Sequence, residues 1–293
     1  MKILLLSVSL CIPAAVAAQE QQLVHQDVKR KYIVYTPSSY AAQPQRQFPV
    51  VLNFHGAGMT MREQMLYTQM NRTAERENFI VVYPQGIRQD WNVGFERAPS
   101  EGPDDIGFTA AMLAKLQQDF RIDARRVYAT GLSRGGFFSL RLAAELPQLF
   151  AAVAAVGATT PHWLAAQAAP RGKVGVLHLH GTADQVVAST GKADSYLPVN
   201  ASYQYWIKSN GIAGAAMTER SVDPDQHDGT SVSFTEQSQD GVSVAMVTVR
   251  NGGHTWPGAD AFNVGLPLGK TSRDIDANGV IWDFLRKHRQ QAL

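Results

Sequence analysis

The sequence has one cysteine, Cys11, in 293 residues. No disulfide can form within such a chain, and cysteine chemistry has only that one candidate. A charge surplus is also missing. Against 25 Asp and Glu stand 27 Lys and Arg, a net of +2, and the basic residues are scattered instead of forming a stripe. Nucleic-acid binding therefore has no electrostatic footprint. Repeats, low-complexity tracts and Ser/Thr/Pro-rich linkers are absent, which makes one domain the economical reading. What is present is 45% hydrophobic, 9% aromatic and 18% charged residues, the profile of a soluble globular chain near the upper size for one hydrophobic core.

Nor is there an apolar run approaching the roughly 20 residues that span a bilayer. The chain opens with Lys2, the apolar stretch Ile3 to Leu6, then Val8, Leu10 and Ile12, and the small-residue series Pro13-Ala14-Ala15-Val16-Ala17-Ala18. This pattern predicts a secretory signal peptide over residues 1–18, cut near Ala18. The expected mature protein is a single domain, 19–293, extracellular or periplasmic, without a membrane anchor and without Cys11. Lipid attachment at Cys11 is disfavoured by Leu10, where a small residue is normally required.

Short, nearly continuous apolar runs recur along the chain: Tyr32 to Tyr35, Phe48 to Phe54, Phe79 to Tyr83, Val127 to Thr130, Val174 to Leu179 and Val242 to Val249. Such runs suit strands buried on both faces. Between them lie helical patterns such as Ile106 to Phe120, where Ile106, Leu113, Leu116 and Phe120 recur at three-to-four spacing behind Asp105 as a capping candidate. The alternation predicts an α/β fold with a mostly parallel central sheet and helices on both faces. In such sheets the chemistry sits at the carboxyl ends of strands.

At one such end, Val127-Tyr128-Ala129-Thr130 runs into Gly131-Leu132-Ser133-Arg134-Gly135-Gly136 and then a helical stretch, Phe137 to Leu146. This is G-x-S-x-G in a strand-turn-helix setting, which lifts a strained serine clear of the sheet. The glycines are needed because side chains at Gly131 or Gly135 would collide with neighbouring backbone. Ser133 is the candidate nucleophile.

A nucleophilic serine needs a base, a group that orients the base, and donors for the oxyanion. Past Val174 to Leu179 comes His180-Gly181-Thr182-Ala183-Asp184, a carboxylate just beyond a strand. Past Val242 to Val249 comes Asn251-Gly252-Gly253-His254-Thr255-Trp256, a histidine in a glycine-rich loop. Upstream, His55-Gly56-Ala57-Gly58 follows a strand with residues small enough for backbone N–H groups to converge on a negative charge. Any one of these could be an ordinary turn or loop residue; their joint order at successive strand ends favours the catalytic reading. Asp194 and Asp223 also lie between Ser133 and His254, but Asp184 alone directly follows a strong strand pattern.

Other motifs carry less. His178 and His180 alternate on a strand, but with no third ligand motif nearby they are expected to be core histidines, and no metal site is expected. Gly191-Lys192 lacks phosphate-loop spacing. Asn71-Arg72-Thr73 and Asn200-Ala201-Ser202 match glycosylation acceptors without implying a role.

Taken together, His55 to Gly58, Tyr83-Pro84-Gln85-Gly86, Trp91-Asn92, Asp104 to Phe108, Gly131 to Gly136, His180 to Asp184 and Gly253-His254-Thr255-Trp256-Pro257 make the chain resemble the secreted polyhydroxybutyrate depolymerase and feruloyl esterase family of α/β-hydrolases. The resemblance extends to Ile281-Trp282-Asp283-Phe284, which is similar to the family's last helix. It implies Ser133 as nucleophile, His254 as base, Asp184 as its orienter, and the backbone N–H groups of Ala57 and Arg134 as the oxyanion hole. Arg134 departs from the pattern, since many relatives carry Asn, Ala or Ser there. The linker and polymer-binding module of many extracellular depolymerases is not seen in the sequence, so poor clearing of crystalline polymer is expected.

The expected chemistry is ester hydrolysis through an acyl-enzyme, needing neither metal nor organic cofactor. The expected partner is a small-molecule or oligomeric ester, feruloyl esters having a slight edge over hydroxybutyrate oligomers because a planar acid could stack on a wall such as Trp256. Trp91 and Trp256 are the candidate substrate-binding walls; structural packing beneath the loops is the open alternative. A serine peptidase and a catalytically inactive binding module are the weaker readings.

Overall fold

The computed structural model describes residues 18–95, 97–167, 172–260, 265 and 267–290. All but the last residue of the expected signal peptide lies outside that set. The strands are β1 (Gln19–His25), β2 (Val28–Tyr35), β3 (Phe48–Phe54), β4 (Ile80–Pro84), β5 (Ile122–Leu132), β6 (Ala152–Val156), β7 (Gly175–Gly181), β8 (Met217–Val222), β9 (Ser231–Gln239) and β10 (Val242–Arg250). The helices are α1 (Ser39–Ala42), α2 (Met61–Thr68), α3 (Met70–Glu77), α4 (Asp105–Asp119), α5 (Arg134–Glu145), α6 (His162–Ala165), α7 (Val199–Ser209) and α8 (Ala277–Leu285).

The strands join in one sheet of order β1-β2-β4-β3-β5-β6-β7-β10-β9-β8. From β4 to β10 every neighbouring pair is parallel, while β1, β2, β9 and β8 add antiparallel margins. The parallel block accounts for the continuous apolar runs, because both faces of each strand are covered. In β3, Val50, Leu52 and Phe54 feed one core and Val51 the other. The first core packs Phe108 and Met112 of α4, Phe137 and Phe138 of α5, and Tyr203 and Trp206 of α7. The second packs Met61 of α2, Met70 of α3, and Ile281 and Trp282 of α8. Each fully buried side chain of this kind contributes roughly 1.5–3 kcal/mol, so a strand serving two cores is strongly held in register. This is an α/β-hydrolase architecture.

Four strands were absent from the apolar pattern. β6, Ala-Val-Ala-Ala-Val, is buried throughout, but its alanines are poor strand markers. β1, β8 and β9 are polar and mostly exposed or half-buried marginal strands. The expected cap of α4 also moves by one residue. Asp104 is the N-cap and its side chain accepts from the Gly107 N–H at 2.8 Å. Asp105 is buried instead, bound by Arg30 Nη2 at 2.7 Å and by the Asn92 N–H at 2.8 Å. Its desolvation pushes its carboxyl upward from the usual range, opposed by the Arg30 charge.

Candidate active site

Parallel strands all point the same way, so the segments that follow β3, β4, β5, β7 and β10 emerge along one edge of the sheet. Ser133 follows β5 directly and caps α5 with φ 54° and ψ −120°. A non-glycine residue held there stores on the order of 1–3 kcal/mol. The strain is sustained by the surroundings. The Ser133 N–H donates to Val156 O at 2.8 Å. A Cβ on Gly135 would stand 2.1 Å from Phe54 O, and one on Gly131 would stand 2.5 Å from the Gly135 carbonyl carbon and 2.6 Å from Phe54 O. Those are backbone atoms with no room to withdraw. Ser133 makes no side-chain cap bond to α5, so its hydroxyl is not spent on the helix.

Asp184 and His254 meet 70 residues apart in sequence, with His254 Nδ1 2.7 Å from Asp184 Oδ2. The other carboxylate oxygen, Oδ1, accepts from the Val186 and Val187 N–H groups at 2.9 and 2.8 Å. Both side chains are almost fully buried. An Nδ1–H donated to Asp184 leaves the lone pair on Nε2, the form a general base needs. Asp194 and Asp223, the competing acids, are exposed. The His254 loop is pressed close to its neighbours: a Cβ on Gly253 would stand 1.9 Å from Leu268 O, and one on Gly157 2.9 Å from both Cε1 and Nδ1 of His254. Gly157 follows Val156, which anchors the Ser133 amide, so one strand end touches both sides of the site. Sequence reasoning missed Gly157 because it missed β6; a glycine after a short Ala/Val run was the available signal.

The loop after β3 passes beside Ser133, since a Cβ on Gly56 would lie 3.6 Å from Ser133 Cβ. Ala57 is exposed at its turn, and Arg134 is the first residue of α5, where N–H groups point out of the helix end. His55 fastens this loop. Its Nε2 accepts the Gly86 N–H at 2.9 Å, so Nδ1 carries the proton and donates to Gly56 O at 2.8 Å. Burial holds its pKa down to about 4. The Gly58 N–H adds a second tie, to Gln89 O at 2.8 Å.

His178 and His180 are buried, as the strand pattern implied. His178 Nε2 lies 3.2 Å from Ser202 Oγ, and burial brings its pKa down to about 4. His180 Nε2–H donates to Val187 O at 2.8 Å, which braces the turn that carries Asp184, and burial lowers its pKa too.

The two tryptophans require a correction. Trp91 is 2% and Trp256 1% exposed, so neither offers an open face to a substrate. Trp91 stacks on Phe138, meets Phe54 edge-on, and donates from Nε1 to His55 O at 3.1 Å. Trp256 donates from Nε1 to Asn278 Oδ1 at 3.1 Å, and its N–H donates to Tyr67 Oη at 2.9 Å. Both bury their rings and satisfy their polar edges, which is structural work beneath the loops. A cleft beside Arg134 has both Trp91 and Phe95 among its lining residues, and of the two only half-buried Phe95 is more than marginally exposed.

Comparison with known proteins accords with this architecture. The chain is 29% identical over 274 residues to "Putative esterase NocK" of Nocardia uniformis subsp. tsuyamanensis, covering 87% of this chain and 79% of that protein. It is 26% identical over 244 residues to feruloyl esterase B of Piromyces equi, covering 77% of this chain but 42% of that longer protein. Among solved structures, the acetyl xylan esterase from Aspergillus awamori superposes with a TM-score of 0.61 at 16% identity, covering 92% and 99% of the two chains. The ferulic acid esterase AmCE1/Fae1A from Anaeromyces mucronatus, solved with ferulic acid, gives 0.55 at 16% identity, covering 93% and 90%. At these identities the structural matches speak for the fold. The family model described as "Putative esterase" matches residues 25–257, and the chain belongs to that esterase family.

Proposed function

We propose that the chain is a secreted serine esterase, acting through an acyl-enzyme on Ser133, with feruloyl-type hydroxycinnamoyl esters as its preferred class. The observation that carries the mechanism is the 2.7 Å contact between His254 Nδ1 and the buried Asp184 carboxylate, at the same sheet edge as a serine in a strained turn. His254 Nε2 takes the Ser133 hydroxyl proton as Oγ attacks the ester carbonyl. The N–H groups of Ala57 and Arg134 receive the oxyanion, and Asp184 stabilises the imidazolium. On collapse, His254 passes its proton to the departing alcohol. Water, deprotonated by His254, then attacks the acyl-enzyme, and the proton returns to Ser133 as the acid leaves.

The acyl preference is supported by the names of relatives such as feruloyl esterase B, and Phe95 replaces Trp256 as the ring available to an aromatic acid. A fluorophosphonate probe is expected to label Ser133, and Ser133→Ala to abolish labelling while leaving the fold intact. A well-folded protein that takes no label would favour a catalytically inactive binding module. Specificity constants on methyl ferulate, an acetylated sugar, a hydroxybutyrate trimer and a polymer film then rank substrates. Rapid clearing of the film with negligible ferulate release would overturn the acyl preference.

A further inference from the structure

Next to Arg134 lies a cleft of about 390 Å³, walled by the segment that follows β4. Its described lining residues include Arg88, Arg97 and Arg134, against one carboxylate among them, Asp90. Asp90 is already committed, because Arg134 Nε sits 3.1 Å from its Oδ1. The Arg134 guanidinium also lies over the Phe95 ring, 5.2 Å from its centroid. The neighbouring acid Asp105 is occupied by Arg30 and the Asn92 N–H. Arg88 and Arg97, both exposed, therefore face the cleft with no counter-carboxylate among its described lining residues.

The wall is also bent so as to present one of them. Arg88 and Gln89 have successive positive φ values of 53° and 60°, a conformation costly to non-glycine residues. That bend sends Gln89 O back to the Gly58 N–H of the oxyanion loop and leaves the Arg88 side chain outside it. The charge excess is thus attached directly to the loop that is to hold the reacting carbonyl.

We infer that this cleft recognises a carboxylate borne by the substrate, so that the enzyme selects esters whose acid or alcohol part carries a second, free carboxyl group. The inference rests on the serine esterase reading and names the substrate class of the same site. Guanidinium groups bind carboxylates through paired N–H donors. On exposed side chains the gain is modest and screened by salt.

Matched pairs test it. On the acid side, mono-4-nitrophenyl glutarate is compared with 4-nitrophenyl butyrate; on the alcohol side, the 3-hydroxybutyrate dimer with a free carboxylate is compared with its methyl ester. At low ionic strength the carboxylate-bearing member of at least one pair is expected to have a kcat/KM about fivefold higher. The ratio should fall severalfold in Arg88→Gln/Arg97→Gln, survive in Arg88→Lys/Arg97→Lys, and shrink with salt in the wild-type protein. The pair that responds identifies which side of the ester the cleft holds. Equal constants within both pairs, or a ratio unchanged in the glutamine variant, would overturn the inference. Should the glutamine variant fail to fold, the wild-type ratio and its salt dependence still decide. Should the wild-type protein leave all four esters intact, the esterase reading fails by itself. The cleft is then read by titrating mono-4-nitrophenyl glutarate into Ser133→Ala protein, where affinity indifferent to Arg88→Gln/Arg97→Gln would overturn it.

Discussion

The turn that carries Ser133 and the wall of residues 87–95 meet at Arg134, yet they are held by different means. Around Ser133 and His254 the tightest contacts are backbone against backbone: Gly135 against Phe54 and His55, Gly131 against Gly135, Gly253 against Leu268. In the wall, the close neighbour of Gly94 is the side chain of Trp163, and the groups that shape the cleft are side chains, Arg88, Asp90, Phe95 and Arg134. Backbone cannot yield without moving a strand, whereas a side chain changes rotamer at little cost. The difference separates two tasks. On the proposed reading, reaction geometry belongs to the part that cannot adjust, and substrate choice to the part that can.

The largest effect expected of that division is at the buried acid. Asn at 184 keeps an oxygen for the Val186 and Val187 N–H groups but removes the carboxylate that fixes the His254 tautomer. Asp184→Asn is expected to lower kcat by about 10⁴-fold with little change in melting temperature. Steady-state kinetics beside a thermal melt would show it. A loss below tenfold would mean that His254 is oriented by something other than Asp184.

Next comes the backbone lock itself. Gly135→Ala places a methyl group against Phe54 O and is expected to cost about 3 kcal/mol or more. Gly58→Ala is the matched control: Gly58 has φ +77° but nothing within 4 Å of the added Cβ, so the cost is about 1 kcal/mol of backbone strain. Urea unfolding of the two variants measures the gap. Equal losses would erase the distinction between a position locked by neighbours and one that is merely left-handed.

Acid should loosen the locked side as well. His55 and His178 are neutral in the fold, with pKa values held down to about 4 from 6.5. Between those values the unfolded chain binds protons that the folded one does not. Stability therefore rises with pH in that window, is complete above 6.5, and is lost as pH falls toward 4. Going from pH 7 to 5 is expected to remove on the order of 2 kcal/mol for each of the two histidines. Chemical denaturation at the two pH values, repeated on His178→Gln, checks this; a flat profile would mean that these imidazoles titrate as if exposed.

The same division decides what could be read from sequence. The locked parts are legible: the apolar run from Phe48 to Phe54 has the bounds of β3, and the glycines flanking Ser133 mark positions where backbone crowds backbone. Backbone constraints restrict residue type, so they leave a mark in sequence. The wall left none. Arg88 and Arg97 stand nine positions apart in an irregular segment, and the left-handed bend at Arg88 and Gln89 brings that segment against the loop that follows β3. Trp91 and Trp256 misled for a related reason: a tryptophan in a loop motif looks the same whether its ring faces the cleft or, as here, packs beneath it. Polar marginal strands such as β1, Gln-Glu-Gln-Gln-Leu-Val-His, lack the two-sided burial that made the central strands readable.

The smallest effect sharpens the comparison most, because it concerns a residue that touches both regions. Phe95 borders the cleft, carries the Arg134 guanidinium over its face, and meets Phe137 of α5 edge-on at 4.8 Å. Phe95→Leu keeps much of the apolar volume but removes the ring, and with it a cation–π contact worth about 0.5–1 kcal/mol. If Phe95 serves the wall, the ratio of kcat/KM for methyl ferulate over methyl butyrate should fall about threefold while stability changes by less than about 1 kcal/mol. If it serves the core through Phe137, stability should drop by about 2 kcal/mol or more and both esters should lose activity together. Kinetics on the two esters and one unfolding curve separate these outcomes. The second would extend the locked region across the cleft and leave its arginines as the only adjustable part of the wall.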